Sequence, residues 1–279
     1  MANAPVNKIL PYSVVDGKGS RVAVFLQKCN IKCAYCHNPE TQNMCIHCGI
    51  CVPACQYGAL QTVDKKVVWN PQKCVNCDAC IAACPHYASP KIKDMSAAAV
   101  FEKVKESMPF IRGITVSGGE CGLYPAFLTE LFTLAQEQGL SCFMDTNGTI
   151  DLSLYPSLME VCSGVMLDVK AWDPDVFFSL TQGDNFAVKQ NLSFLFALNK
   201  LEELRIVVVP GKMDAKAAIL GIQRQLGRKN VRGIPLKLIS FRPYGVKGDF
   251  AQLAPPSKSE MDVLYRLAAD VGFEDITVI

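Results

Sequence analysis

Eleven of the fourteen cysteines in this 279-residue chain lie between Cys29 and Cys84, in three spaced sets. Away from an oxidising compartment, thiols in such numbers are metal ligands before they are disulfides. The first set is Cys29-Asn-Ile-Lys-Cys33-Ala-Tyr-Cys36, spaced C-x3-C-x2-C. It follows the apolar run Val22-Ala-Val-Phe-Leu26, which reads as a strand, so the thiols occupy the loop leaving its C-terminal end. Three thiolates on one short loop can hold three irons of a cubane cluster. The fourth iron then has no local ligand, and an open position is what a catalytic metal needs. Taken alone, the triplet also fits a zinc loop or a redox pair.

The second and third sets are one pattern written twice. Cys45-x2-Cys48-x2-Cys51-x3-Cys55 recurs as Cys74-x2-Cys77-x2-Cys80-x3-Cys84, followed by Pro85. Between them, Leu60-Gln-Thr-Val63 and Val67-Val-Trp69 flank Asp64-Lys-Lys66, which reads as a hairpin. Zinc ligand sets are the alternative use of such spacing. The doubled pattern resembles the bacterial two-cluster ferredoxin, in which the fourth cysteine of each run crosses to the other cluster. By that resemblance Cys45, Cys48, Cys51 and Cys84 hold one [4Fe-4S] cluster, and Cys74, Cys77, Cys80 and Cys55 the other. Gln56 departs from the proline usual after the first run. His47 and His86 lie beside ligands and are expected at the rim or the surface.

With half of its residues apolar, the chain can bury a full core, and its length suits one large α/β domain with a small insert. A formal charge of +2 leaves no footprint for nucleic acid, and no basic run suggests a membrane surface. Residues 1–17 lack the apolar centre of a signal peptide, and no apolar run approaches a membrane span. A cytoplasmic location is expected. After the insert, helical and strand patterns alternate. Strands are predicted at 113–117, 141–145, 165–169, 204–209, 235–241 and 273–279. Helices are predicted at 96–107, with Ala99, Val100, Val104 and Met108 on one stripe, and at 126–137, 185–199, 215–226 and 258–271. Repeated βα units predict a parallel sheet with helices outside, a partial or full barrel with its active site at the C-terminal strand ends. The expected organisation is 1–41 as the first part of the barrel, 42–92 as the insert and 93–279 as the remainder.

The strand ends carry the remaining chemistry. Thr115-Val-Ser-Gly-Gly-Glu120 offers close backbone approach at Gly118 and Gly119, and an anion at Glu120 for an ammonium group. A helix-entry turn explains the same residues. Phe143-Met-Asp-Thr-Asn-Gly148 closes with good turn chemistry. In Val165-Met-Leu-Asp-Val-Lys170, Met166, Asp168 and Lys170 share one strand face. An acid and a base inside an apolar strand must pair or bind something, and a buried ion pair is the plain alternative. Arg205 opens the buried run Arg-Ile-Val-Val-Val-Pro210. Cys142 and Cys162 fall in or beside apolar runs and read as core thiols.

The triplet with its aromatic Tyr35 resembles the signature of radical S-adenosylmethionine (SAM) enzymes. In order and spacing, Cys36-His-Asn, Ser117-Gly-Gly-Glu120, Asp145-Thr-Asn-Gly148, Asp168-Val-Lys170 and Arg205 resemble the glycyl-radical-enzyme activating enzymes. The ferredoxin-like insert and the opening Ile9-Leu-Pro-Tyr-Ser13 and Asp16-Gly-Lys-Gly-Ser-Arg21 bring it nearest to the YjjW-type branch. The resemblance implies a partial (β/α) barrel, three [4Fe-4S] clusters and SAM, with an oxidoreductase activity that cleaves SAM reductively. A 5′-deoxyadenosyl radical would then take a hydrogen from a glycine Cα of a partner, a glycyl radical enzyme. Flavodoxin or ferredoxin is implied as electron donor.

By the same resemblance Cys29, Cys33 and Cys36 ligate the SAM cluster, with Tyr35 and His37 against the nucleoside. Gly118, Gly119 and Glu120 take the methionyl amino group. Asp168, Val169 and Lys170 contact SAM, and Arg205 lies near the ribose. Asp145, Thr146, Met166 and Asp168 match a monovalent cation site. Two departures stand out. Cys121 replaces a family proline and could close the cluster as a fourth ligand. Arg242-Pro-Tyr-Gly245 lacks the family histidine, whose contribution must come from elsewhere, with Arg242 and Lys247 nearby. The rival readings are a radical SAM peptide-modifying or maturation enzyme, and a plain ferredoxin-type electron carrier.

Overall fold

A computed structural model describes residues 2–279. The chain runs β1 (Asn3–Ser13), β2 (Arg21–Leu26), β3 (Leu60–Val63), β4 (Lys66–Trp69), α1 (Ala79–Ala82), β5 (Lys93–Ser96), α2 (Ala97–Lys105) and β6 (Gly113–Gly118). It continues α3 (Pro125–Gln136), β7 (Ser141–Thr146), α4 (Pro156–Val161), β8 (Gly164–Asp168), α5 (Pro174–Thr181) and α6 (Phe186–Ala197). The last elements are β9 (Leu201–Val208), α7 (Ala215–Leu226), β10 (Leu236–Ser240), α8 (Lys258–Val271) and β11 (Ile276–Val278). All strands but β3 and β4 share one sheet, in the order β11-β10-β9-β8-β7-β6-β2-β1-β5. From β2 through β6 to β11 every neighbouring pair is parallel. The end strands β5 and β11 do not pair with each other, so the sheet is an open, partial barrel.

Chain order equals sheet order across the parallel strands, which places all their C-terminal loops along one rim. Helices cover the outer face in two groups. The α2, α3 and α4 side packs on β2, β6 and β7 through Val100, Phe101, Leu128, Phe132 and Met159. The α5 to α8 side packs on β8, β9 and β10 through Phe177, Leu192, Ile219 and Leu264. A fully buried Phe or Leu is worth about 1.5–3 kcal/mol, so these layers carry most of the fold. Ala99, expected on the buried stripe of α2, is exposed, and Phe101 takes the inward place. The helix begins later than expected, at Ala97, because Ser96 caps it by accepting from Ala99 N.

Five elements lie where no strand or helix was predicted: β1, α1, β5, α4 and α5. β1 pairs antiparallel with β2 through a register that slips twice, between Val6 and Lys8 and again between Leu10 and Ser13. Those slips break the two-residue alternation by which a half-buried strand is recognised. α4 is only six residues long. α5 starts at Asp173-Pro174, where Asp173 accepts from Asp175 N and Val176 N, an N-cap and N1 signal that was legible in the sequence. The hairpin of β3 and β4 forms as predicted, turning through Asp64 and Lys65 at positive φ. The closing strand is shorter than expected, three residues against seven.

Candidate functional site

The loops leaving β2, β6, β7 and β8 meet over a cavity of about 170 Å³. Cys29, Cys33 and Cys36 stand on its wall with Tyr35 and His37, facing Gly118, Gly119, Asp145, Thr146, Asp168 and Lys170. The triplet loop is pinned on two sides. Lys28 N and Cys29 N donate to the carbonyls of Thr41 and Gln42 (2.8 and 2.9 Å), and Lys32 N and Ala34 N to those of Thr181 and Leu180 at the end of α5. Gly118 and Gly119 let the β6 loop close on it. A Cβ at either would stand 2.2 Å from the backbone of Leu26 or Lys28, so no other residue fits. Burial pushes the Cys29 thiol up to about 11 and the Cys33 thiol to about 12, so iron binding there must displace protons.

Lys170 Nζ lies 3.0 Å from Asp168 Oδ2 and 6.0 Å from the Tyr35 ring centroid. Burial opposes its ammonium form, but Asp168, Cys33 and Tyr35 outweigh burial and hold its pKa well above the ordinary value. Glu120 does not reach the cavity wall. Its carboxylate is buried and accepts from Gly122 N (2.7 Å), Thr146 Oγ1 (2.7 Å) and Asn147 N (2.8 Å). It therefore shapes the Asp145–Gly148 loop, and the surface offered at this point is the Gly118-Gly119 backbone. Cys121 is fully buried and also off the wall. Its Sγ donates to the Asp145 carbonyl at 3.4 Å.

Arg205, expected beside the ribose, is absent from the wall as well. Its guanidinium bonds Glu203 Oε1 (2.5 Å), Asp145 Oδ1 (3.1 Å) and Met166 Sδ (2.9 Å). It acts on the site through Asp145, whose other oxygen accepts from Ser117 Oγ (2.9 Å). Of the four residues matched to a cation, two of them by backbone carbonyls, three line the cavity. These are Asp145, Thr146 and Asp168, while Met166 is buried behind the cavity against Arg205. Val169 is also turned inward, donating its N–H to the Arg205 carbonyl. Several wall residues had no sequence signal of their own, among them Ile31, Gln42, Asn147 and Val207. Asn147 Nδ2 points at Cys29 Sγ (3.6 Å), a contact foreshadowed only by its place in Asp-Thr-Asn-Gly.

The glycine at the departed family histidine has a local cause. Gly245 has φ +83°, and a Cβ there would come within 2.7 Å of the His37 carbonyl. His37 itself donates from Nε2 to the Arg242 carbonyl (2.9 Å) and stacks on Phe241. Lys247 points away from the cavity, to Ile81 and Cys84.

The other eight spaced cysteines line two more cavities. One is ringed by Cys45, Cys48, Cys51 and Cys84, the other by Cys55, Cys74, Cys77 and Cys80. Each takes three thiols from one run and the fourth from the other run. Among the described residues no three acidic, His or Cys groups converge as a single-ion site would. A cubane instead spreads its ligands, one thiolate to each iron. The insert's own core is four buried residues, Cys51, Leu60, Val67 and Cys80, too little to hold a domain without a further binding energy. The two buried side-chain polar atoms without a partner among the described residues are Tyr35 Oη and Trp69 Nε1, and both residues line cysteine cavities. A donor with no acceptor is costly to bury, so both cavities fit a group that brings acceptors.

The chain belongs to the radical SAM superfamily, whose family model matches residues 24–218. It is 30% identical to the (2S)-3-sulfopropanediol sulfolyase activating enzyme of Bilophila wadsworthia, over 81% of this chain and 82% of that one. It is 28% identical to the choline trimethylamine-lyase activating enzyme of Oleidesulfovibrio alaskensis, over 90% and 87%. Within the superfamily it is thus a member of the glycyl-radical-enzyme activating enzymes. The fold is that of QueE from Escherichia coli, with a TM-score of 0.55 at 14% identity over 99% of this chain and 94% of that one. Superfamily membership implies a [4Fe-4S] cluster and SAM. No helix among the described residues is long and apolar enough to cross a membrane.

Proposed function

We propose that this protein activates a glycyl radical enzyme in the cytoplasm, using three [4Fe-4S] clusters, one on the triplet and two in a ferredoxin-like insert at 42–92. Cys29, Cys33 and Cys36 would hold the cluster that, when bound, would supply one electron for cleavage of SAM to methionine and a 5′-deoxyadenosyl radical able to take a hydrogen from the partner's glycine. The chain's own residues hold and shield this chemistry. Gly118 and Gly119 would present backbone to the methionyl group, and Lys170 with Asp168 would orient SAM in the cavity that Tyr35 also lines. His37 flanks the nucleoside from a ring fixed on Phe241. Arg205 is a positioning residue, holding Asp145 at the wall.

The observation that carries this reading is the placement of Cys121. Its thiol is turned to the Asp145 carbonyl, which supports a triplet cluster with three protein ligands and an open fourth position. Flavodoxin or ferredoxin is the donor this reading implies, and the two cysteine quartets are the entry for its electron. The test is iron content with product. Fully loaded protein carries about 12 irons, and replacing Cys29, Cys33 and Cys36 by alanine leaves about 8. The same change abolishes 5′-deoxyadenosine formation and the glycyl radical seen by electron paramagnetic resonance with a partner enzyme. Loss of all iron in that variant contradicts separate sites, and undiminished 5′-deoxyadenosine contradicts the triplet as the site of SAM cleavage.

A further inference from the structure

We propose that the loop between β10 and α8 is a strap fixing the Cys45, Cys48, Cys51 and Cys84 site to the SAM loop, with Lys247 as its positioning residue. This makes that site the inner of the two auxiliary sites. The inference rests on the reading that both quartets hold clusters.

Lys247 Nζ donates to the carbonyls of Ile81 (3.1 Å) and Cys84 (3.0 Å), and lies 5.3 Å from the Tyr87 ring centroid. A long, flexible side chain surrenders its freedom here to bind the backbone of a thiol residue in the insert, across more than 160 positions of sequence. The same loop rests on the SAM loop a few residues earlier. His37, next to Cys36, donates to the Arg242 carbonyl, and the Gly245 backbone packs so closely on His37 that a side chain is excluded. One short segment therefore touches the neighbour of one cluster cysteine and the carbonyl of another.

A second connection runs through the insert's root. Gln42 Nε2 donates to the Cys33 carbonyl (3.1 Å), while Asn43 binds Tyr87 and His86 at the far end of the insert. Cys45 and Cys84 flank this root. The other quartet faces elsewhere. Its cavity shares Trp69, Asp78 and Lys91 with a separate cleft of about 540 Å³ that opens against β1 and β5. One electron from a low-potential donor protein would enter at this outer site, pass to the inner one and be consumed as SAM cleaves. The Lys247 ammonium beside Cys84 favours the more negative, reduced form of a cluster held there.

The experiment compares Lys247→Met and Lys247→Arg in the full, reconstituted chain. Reduction potentials are followed by electron paramagnetic resonance. Lys247→Met is expected to keep about 12 irons and to lower the potential of one auxiliary cluster, while Lys247→Arg leaves it near the parent value. SAM cleavage driven by a protein donor falls about tenfold in Lys247→Met, whereas single-turnover cleavage with a small chemical reductant is unchanged. The shift must persist when Cys77→Ser removes the outer cluster. If it vanishes in that background, Lys247 serves the outer site and the proposed order is wrong. Unchanged potentials, equal losses with both reductants, or iron loss in both Lys247 variants also overturn the proposal. A parent chain that loads only about 4 irons defeats the two-cluster reading itself, before Lys247 is tested.

Discussion

Glu120 stands off the cavity wall and is almost wholly buried. Its motif offers an anion to a ligand, yet the carboxylate is wholly engaged by Gly122, Thr146 and Asn147. Glu120→Ala leaves three buried donors unpaired, and at about 1–3 kcal/mol each the variant is expected to lose roughly 3 kcal/mol or more of stability. Glu120→Gln keeps acceptor oxygen and loses less than half of that. Thermal unfolding of loaded protein checks both, and equal melting of parent and Glu120→Ala would show that the bonds contribute nothing. Cys121 allows an independent residue-scale prediction. Cys121→Ala keeps its triplet cluster, and SAM still perturbs the cluster spectrum. If SAM perturbs only the variant's spectrum and not the parent's, Cys121 is a fourth ligand.

At the scale of elements, the rim loops are held by helices behind them. Asn191, buried on α6, donates to the carbonyls of Gly148 (2.8 Å) and Ile150 (2.6 Å) and accepts from Leu152 N (3.0 Å). Asn191 stands on the stripe of α6 that carries Val188, Leu192 and Leu195, so its burial is legible from spacing while its partners are not. Asn191→Leu is expected to cost about 2–4 kcal/mol, since three buried backbone groups lose their partner. It should also weaken SAM binding, because Gly148 closes the loop that carries Asp145 and Thr146. Isothermal titration with SAM on the loaded protein reads this, and an unchanged affinity would uncouple α6 from the site. The strand predictions were right wherever a parallel strand is buried on both faces, as in β6 and β8. They missed β1, a bulged antiparallel strand whose neighbours are decided by β2 and β5.

At the scale of the molecule, the barrel and the insert are stabilised by different means. The barrel has two large apolar layers, whereas the core cluster of the insert is four residues, two of them cysteines. Protein grown and purified without iron is therefore expected to keep the helical circular dichroism of the barrel while proteases cut within 42–92. Iron and sulfide should restore protection there. Equal protease resistance with and without iron would mean that the insert folds on its own side chains.

The alternation of helix and strand was sufficient for the partial barrel, and the triplet and strand-end motifs named most of the residues that line the cavity. Ligand spacing and parallel βα patterning are local properties, set by chain geometry within a few residues, and so they are legible in one dimension. The direction taken by Glu120, Cys121, Arg205 and Lys247 is not local. Each is decided by partners that the fold brings from far along the chain. Arg205 turns to Asp145, and Lys247 crosses to Cys84. Buried polar groups go wherever their bonds can be completed, and only the assembled tertiary structure determines where that is.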